Sequence, residues 1–362
     1  MAPFGFPRVK EILLPGEPCC HGVRSDGAAK IGEMTEPRVF EICAGAGGLA
    51  LGLESAGFQH ICAVDNDPYA CQTLRINRPQ WEVLEADVRD LRGEMLLGVD
   101  LLAGGVPCPP FSIAGRQLGE NDERDLFPEV IRLAAEGKPR ALLIENVRGF
   151  AAARFDSYRE WLVDELDRLG YFSAFRVLDA ADFGVPQNRS RAFLVAFDRS
   201  CVRGFAWPEP SGSDMTVADA IGDLLGARGW NGVENWRLRA RAPAPTLVGG
   251  SKKHGGPDLG PTRAKKQWAV LQVDGHGLAD VAPGPDAPVT HAPRLTVRMA
   301  ARLQCFPDDW EFSGGKTAAY RQVGNALPPP LAAAVARQVR AALDGESEGF
   351  EHAARQLRLL KA

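Results

Sequence analysis

The sequence predicts an α/β fold, in which a doubly wound and mostly parallel sheet is followed by a second, smaller and loop-rich domain. From residue 38 to residue 206, short apolar runs alternate with amphipathic stretches, which is the pattern of strands joined by helical crossovers. Near Trp207 this alternation stops, and residues 208–293 carry many Pro and Gly residues, which favour loops. A chain of 362 residues with 45% hydrophobic and 24% charged residues is typical of a globular protein with one large and one smaller domain.

The individual elements follow from the periodicity. Helical patterns connect several of the apolar runs, at Leu49–Ala56, Pro68–Ile76 and Ser157–Leu169. Two later helices are predicted at Arg294–Phe306 and in the Ala-rich segment Leu331–Leu343. The candidate strands are Val39–Ala44, Ile61–Asp65, Val83–Asp87, Asp100–Gly104, Ala141–Val147 and Ala192–Phe197.

Composition excludes several classes of protein. No apolar run reaches the length of a bilayer and the N-terminus lacks the apolar core of a secretory signal, so we expect a cytoplasmic protein without a membrane partner. The eight cysteines show no CxxC spacing and are expected to be reduced; Cys19-Cys20-His21 lacks a second half-site, so no metal is expected. The net charge is −4, but residues 236–268 hold eight basic residues and one acidic residue. That excess fits either a nucleic-acid contact or a solvated loop.

A glycine-rich turn follows the first predicted strand. Residues 41–48, Glu-Ile-Cys-Ala-Gly-Ala-Gly-Gly, lead directly into a helix, and glycines allow both the tight turn and the close approach of a ligand. Asp65 ends the next strand, where an acid can hold the ribose hydroxyls of a nucleoside cofactor. A glycine turn alone is weak evidence for such a ligand.

Three further polar residues stand at the ends of successive predicted strands: Asp87, Cys108 and Glu145. Ligands of open parallel sheets bind outside the carboxyl ends of the strands, so these residues are expected to share one crevice with Asp65. Cys108 lies in a Pro-Cys-Pro-Pro turn, whose prolines fix the loop. A core cysteine is the alternative, but this setting favours an exposed nucleophile.

With these motifs in order, the chain resembles the C5-cytosine DNA methyltransferase family, of the bacterial type II restriction-modification type, over roughly residues 38–343. The matching segments are Phe40–Phe58, Val64–Asn77, Pro107-Cys108, Glu145-Asn146-Val147, Gln187-Asn188-Arg189-Ser190-Arg191, Arg294–Trp310 and Tyr320–Pro328, with Gly324-Asn325-Ala326. The resemblance implies a Rossmann-like S-adenosylmethionine-dependent fold, with S-adenosyl-L-methionine as cofactor. It implies cofactor contacts from Cys43, Ala44, Gly45, Gly47, Gly48, Leu49, Asp65, Asn66, Asp87, Val88, Pro107 and Asn325.

Four positions depart from the family pattern. The family usually has Phe at Cys43, often Glu at Asp65, a bulky apolar residue at Asn66 and Gln at Pro109. A weaker grip on the adenine is the expected consequence.

The resemblance also implies a mechanism. The Cys108 thiolate adds to C6 of cytosine, Glu145 donates a proton to N3, Arg191 holds O2, and Arg189 adds positive charge near Cys108 or the phosphate backbone. The target base must leave the stack, and residues 112–126 are expected to close over it as a lid, one residue shorter than the family pattern. The base that removes the C5 proton has no candidate in the sequence.

Double-stranded DNA is therefore the expected partner, and a cognate restriction endonuclease is expected to act on the same site without direct binding. We expect a monomer in the bacterial cytoplasm, associated with the nucleoid through DNA. Expected DNA contacts are Ser112, Arg124, Arg237, Arg239, Arg241, Lys252, Lys253 and Arg263.

The domains implied are a loose extension at 1–36, a catalytic domain at 37–206 completed by about 315–345, a target-recognition domain at 207–314 and a helical tail at 346–362. Three alternatives remain: a transfer-RNA cytosine methyltransferase, a catalytically silent DNA-binding regulator of the same fold, and an α/β enzyme with another nucleoside cofactor. Retention of Cys108, Glu145, Arg189 and Arg191 together argues against the second.

Overall fold

The computed structural model, which describes residues 36–107, 125–212, 214–250 and 258–346, contains one seven-stranded sheet. Its strand order is β3-β2-β1-β4-β5-β7-β6, so the chain crosses over at β1 to build both halves. The strands are β1 (Arg38–Ile42), β2 (Gln59–Asp65), β3 (Val83–Glu85), β4 (Leu101–Gly104), β5 (Ala141–Val147), β6 (Tyr171–Asp179) and β7 (Ser190–Asp198).

The first five strands are parallel, which confirms the predicted doubly wound sheet. The last predicted run lies in β7, which pairs antiparallel with β5 and β6, so the sheet is mostly parallel, as predicted. β6 was missing from the prediction. It is an edge strand whose buried positions are interrupted by half-buried ones such as Arg176, so it has no continuous apolar run to mark it.

The described residues contain ten α-helices, and over residues 316–343 the chain returns to the sheet. The Cβ of an alanine at Gly52 would lie 2.3 Å from Ala332 Cβ, which shows how closely the first and last helices pack. The helices are α1 (Gly48–Ser55), α2 (Pro68–Asn77), α3 (Phe127–Gly137), α4 (Asp156–Arg168), α5 (Val217–Gly226), α6 (Val233–Arg237), α7 (Thr262–Val270), α8 (Val297–Leu303), α9 (Lys316–Asn325) and α10 (Pro329–Leu343).

Three hydrophobic cores hold these layers together. One lies between the sheet and helices α1 and α10, and a second lies on the opposite face under α3 and α4. The third core is shared by the helices from α5 to α9 and contains four buried tryptophans, Trp230, Trp236, Trp268 and Trp310. Helix α8 is shorter than predicted because Thr296 caps it, its hydroxyl accepting from the backbone of Met299. Within the described residues, no helix is long and apolar enough to cross a membrane.

Candidate active site

A cavity of about 540 Å³ opens at the carboxyl ends of β1 and β2. All of the predicted cofactor residues except Gly47 line it. Gly47 has φ 88, and a Cβ there would lie 2.9 Å from the Trp310 ring, so this glycine is required by packing beneath the turn. Residues that the sequence did not single out also line the cavity, among them Glu41, Arg89 and Arg321.

Asp65 fixes the glycine turn from below. Its Oδ2 accepts from the backbone N–H of Gly45 at 2.7 Å, and its Oδ1 accepts from the N–H of Asp67 at 2.8 Å. Burial raises the pKa of Asp65, and the backbone hydrogen bonds oppose that rise. Each oxygen keeps a second lone pair, so the carboxylate can still accept from a ligand hydroxyl.

Cys43 stands at the entrance of the turn with φ 50, a left-handed conformation that is rare outside glycine. Burial, followed by the charge of Asp65, raises the pKa of its thiol. Cys43 is therefore a neutral lining residue.

Asp87 also lines this cavity. The third strand ends at Glu85, two residues earlier than predicted, so Asp87 follows the strand instead of closing it. Its carboxylate accepts from the backbone N–H of Arg89 at 3.0 Å and from Arg89 Nη1 at 3.1 and 2.9 Å. Arg89 thereby holds the Asp87 carboxylate at the cavity wall.

A second cavity of about 430 Å³ adjoins the first. The two share Gly105, Pro107, Glu145 and Asn325, so a group held in one lies beside a group held in the other. Cys108 lies outside the described residues, immediately after Pro107 in the chain. The remaining lining residues of the second cavity include Val106, Asn146, Val147, Arg191 and the segment 246–249.

Glu145 and Arg191 form an ion pair in the wall of the second cavity, with Arg191 Nε 2.8 Å from Glu145 Oε1. Glu145 lies within β5 and not after it, as the sequence had suggested. Burial raises the pKa of Glu145, while Arg191 and then Arg189 oppose the rise. A carboxyl group with a raised pKa is suited to donate a proton at neutral pH. The neighbouring Asn146 donates to the Val106 carbonyl at 3.1 Å and so braces the loop before Cys108.

Arg189 is placed differently from its prediction. Its side chain is entirely buried, and it donates to the carbonyls of Leu247 at 2.7 Å, Gly324 at 2.8 Å and Ala326 at 2.7 Å. Burial, then the charge of Arg191, lowers the pKa of Arg189. The buried guanidinium does not reach the surface for a direct phosphate contact, and the predicted charge near Cys108 stays a prediction because Cys108 lies outside the described residues.

The segment 244–250, which we call the docked segment, closes the second cavity and was not recognised from the sequence. Leu247 N–H donates to Gln187 Oε1 at 2.9 Å, and Thr246 Oγ1 donates to the Asn188 carbonyl at 2.6 Å. At Gly249 a Cβ would lie 2.4 Å from the Arg321 carbonyl. The glycine pair at 249–250 was the available signal, but at Gly249 the close approach is to α9 and not to DNA.

A groove of about 740 Å³ continues outward from the second cavity. Val147 and Arg191 line both spaces, and helix α7 forms the opposite wall with Arg263, Gln267 and Val270 on one face. Helical spacing of i, i+4 and i+7 places these three side chains together. Arg263 is therefore the predicted DNA contact that the structure brings to the groove.

The other predicted DNA contacts are not in its lining. Arg237 lies against Gly222 and 3.7 Å from Glu234, while Arg239 and Arg241 are exposed elsewhere. Ser112, Arg124, Lys252 and Lys253 lie outside the described residues, as does the Cys19-Cys20-His21 segment.

Comparison with known proteins adds three findings. The model of a family described as C-5 cytosine-specific DNA methylase matches residues 37–341. The chain is 52% identical over 324 residues to the type II methyltransferase M.NaeI of Lentzea aerocolonigenes, covering 88% of this chain and 78% of that protein. It is 49% identical over 315 residues to the type II methyltransferase M.NgoMIV of Neisseria gonorrhoeae, covering 85% and 98%. The structure of the Dnmt2 methyltransferase of S. pombe superposes with a TM-score of 0.58 at 20% identity, over 85% of this chain and 98% of that chain.

Proposed function

Because the chain belongs to the C-5 cytosine-specific DNA methylase family and is a DNA (cytosine-5)-methyltransferase, we propose that it methylates C5 of a cytosine flipped out of a specific duplex sequence, with S-adenosylmethionine as methyl donor. The observation that carries the proposal is the pair of adjoining cavities. They share four residues, so a methyl donor bound in one would lie beside an acceptor bound in the other.

The first cavity fits the proposed cofactor. S-adenosylmethionine carries two positive charges, on its sulfonium and its ammonium group, and supplies a methyl group activated by the sulfonium. The cavity is lined by the carboxylates of Glu41, Asp65 and Asp87. Glu41 Oε1 is buried and has no hydrogen-bond partner among the described residues, so the wall offers an acceptor that a cationic ligand satisfies. Asp65, below the turn, is proposed to accept from the ribose hydroxyls, and Asp87 offers a further acceptor in the same cavity.

The second cavity supplies the acid for the base. Addition of the Cys108 thiolate to C6 makes C5 nucleophilic, and the electron pair displaced toward N3 is met by a proton from Glu145. For that step Arg191 leaves Glu145 Oε1 and donates to O2 of the base, so the ion pair of the free site is exchanged for contacts with cytosine. The Glu145 carbonyl oxygen then accepts from the exocyclic amine, which thymine lacks. After transfer solvent takes the C5 proton, N3 returns its proton to Glu145, and the C6–S bond breaks to release the Cys108 thiolate.

The outer groove is the proposed place for the duplex beside the flipped base. Arg148 and Arg191 lie on its sheet side and Arg263 on its helix side, so its walls carry positive charge. Arg263 and Gln267 on α7 have donor groups suited to base edges in the major groove. The residues Lys252 and Lys253 are proposed to meet phosphates.

The type II names of the two relatives support a role in modification of a restriction site. A restriction endonuclease that cuts the same sequence without contacting this chain, and a monomeric enzyme in the bacterial cytoplasm, complete the proposal. The domain division of the sequence, with 207–314 as the recognition part, stays a prediction.

Trapping on 5-fluorocytosine tests the mechanism. Duplex DNA with 5-fluorocytosine at the target is expected to form a covalent adduct with the wild-type protein in the presence of S-adenosylmethionine, because fluorine cannot leave as a proton does. Cys108→Ser should bind the same DNA without forming the adduct. Bisulfite sequencing of plasmid from an expressing host identifies the target site. Methylation of transfer RNA and not of duplex DNA in parallel assays would replace the proposal with its RNA alternative.

A further inference from the structure

Behind the cofactor cavity, Glu41 on β1 faces His60 on β2. His60 Nε2 lies 2.9 Å from Glu41 Oε2, and neither side chain has any exposed surface. The second oxygen, Glu41 Oε1, and the second ring nitrogen, His60 Nδ1, have no partner among the described residues. A buried pair with one free atom on each side is incomplete in this state of the protein.

The imidazole of His60 is held so that only Nε2 faces Glu41. The Trp81 ring is stacked on the imidazole, with centroids 4.2 Å apart and the planes at 21°. Arg78 lies over the other side of this layer, 5.8 Å from the Trp81 centroid, and is itself bound by Glu54 at 2.7 Å. The ring therefore cannot turn away from Glu41 without breaking the stack.

Glu41, in contrast, adjoins a ligand space. Glu41 lines the cofactor cavity, while His60 does not. The other titratable groups near Glu41 are Asp65, whose charge raises the pKa of Glu41, and the Cys43 thiol. An unsatisfied buried acceptor destabilises the folded state, so a fold that needed only a filled core would gain by replacing this pair with apolar residues.

Resting on the proposed function, we propose that His60 is a positioning residue for the cofactor. It keeps Glu41 anionic and oriented, so that Oε1 accepts a hydrogen bond from the ammonium group of S-adenosylmethionine. His60 itself does not touch the ligand. The cofactor supplies the partner that Oε1 lacks, and His60 holds Oε2 from behind.

The direction of the electrostatic effect follows from the same contacts. Burial raises the pKa of Glu41, and the hydrogen bond and charge of His60 oppose the rise. Without His60 the carboxyl group takes up a proton at a higher pH, and a neutral Glu41 has no charge to offer the ligand. Affinity for the cofactor must then fall at a higher pH than in the wild-type protein.

Calorimetric titration of S-adenosylmethionine from about pH 5 to pH 7.5, a range below the titration of most amino groups, tests this inference. We expect His60→Gln, which keeps a donor but no charge, to move the midpoint of affinity loss upward by about 1 pH unit, or about tenfold in Kd below the midpoint. Glu41→Gln should give weak binding that no longer varies with pH. His276→Gln is the matched control, because His276 forms a similar pair with Asp274 at 2.7 Å but is exposed.

Ligand chemistry separates positioning from general damage. 5′-Methylthioadenosine lacks the amino-acid end, so its affinity should be the same in wild type and His60→Gln at every pH. Equal shifts for both ligands, or a His60→Gln profile that overlays the wild type, would overturn the inference. If His60→Gln does not fold, His60→Asn replaces it in the same titrations, and a pH-independent wild type decides against the inference. Absence of S-adenosylmethionine binding to wild type would instead refute the proposed function.

Discussion

Arg189 and Arg191 are two residues apart, and replacing each by lysine should separate a stabilising role of the first from a catalytic role of the second. Arg189 makes three hydrogen bonds to buried carbonyls, and a lysine ammonium at that position can reach one of them. Loss of two bonds from a charged donor, at about 1.5–3 kcal/mol each, costs about 3–6 kcal/mol of unfolding free energy. At about 2 °C per kcal/mol for a chain of this size, Arg189→Lys should lower Tm by about 6–12 °C.

Arg191→Lys should instead reduce turnover with little change in stability. Its side chain forms an ion pair with Glu145 at the cavity wall, which a lysine can partly restore, so Tm should change by no more than about 2–4 °C. Turnover should fall at least about tenfold, because the fork of donors that meets the base is lost. Thermal unfolding, DNA binding and methyl transfer would be measured on both variants. An Arg189→Lys protein that melts with the wild type but transfers no methyl group would refute the structural role given to Arg189.

Three further predictions concern the cavities and the groove. Asp65→Ala should weaken S-adenosylmethionine binding about ten- to hundredfold by calorimetry, with Asp65→Asn less affected; unchanged affinity would place the ribose elsewhere. Turnover with saturating DNA should fall as pH rises through the raised pKa of Glu145, since the carboxylate has no proton for N3. Glu145→Gln should lose turnover at every pH while still binding DNA. An unchanged pH–rate profile in that variant would exclude the acid role. Arg263→Ala should relax selectivity at one base pair by about 1–3 kcal/mol. Lys252→Ala combined with Lys253→Ala should weaken binding to all duplexes and flatten the salt dependence of that binding. Both are measured by competition between cognate and scrambled duplexes at several salt concentrations, and a solvated loop without DNA contacts would show neither effect.

The sequence predicted most of the sheet because buried parallel strands are continuous apolar runs. The predicted run Ala141–Val147 has the bounds of β5, and its residues up to 146 are buried. β6 escaped because an edge strand is covered on fewer sides and carries polar residues. Periodicity reports which residues are apolar, not the direction in which a strand enters the sheet, so the antiparallel direction of β7 was not visible in the sequence.

The candidate site, like the fold, was only partly predictable from the sequence. Residues that follow strand ends were located from the pattern, since the topology itself brings them together. The opposite placement of Arg189 and Arg191 was not visible, because the carbonyls that bind Arg189 come from positions 58 to 137 residues further along the chain. The Glu41–His60 pair was equally hidden: it depends on the register of two neighbouring strands, which no local motif encodes.

The docked segment has a consequence for exchanging sequence specificity between related enzymes. Its hydrogen bonds to Gln187 and Asn188, and its contact with α9, fix it as a wall of the second cavity, while its residues Thr246 and Val248 also line the outer groove. A chimera should therefore take its donor sequence from beyond Gly250, so that the graft carries α7 and leaves the native 244–250 in place. A junction placed upstream, within 207–243, would import a foreign wall for the base pocket together with the new specificity. Transplants built on the two junctions should differ in catalytic competence while sharing the same target.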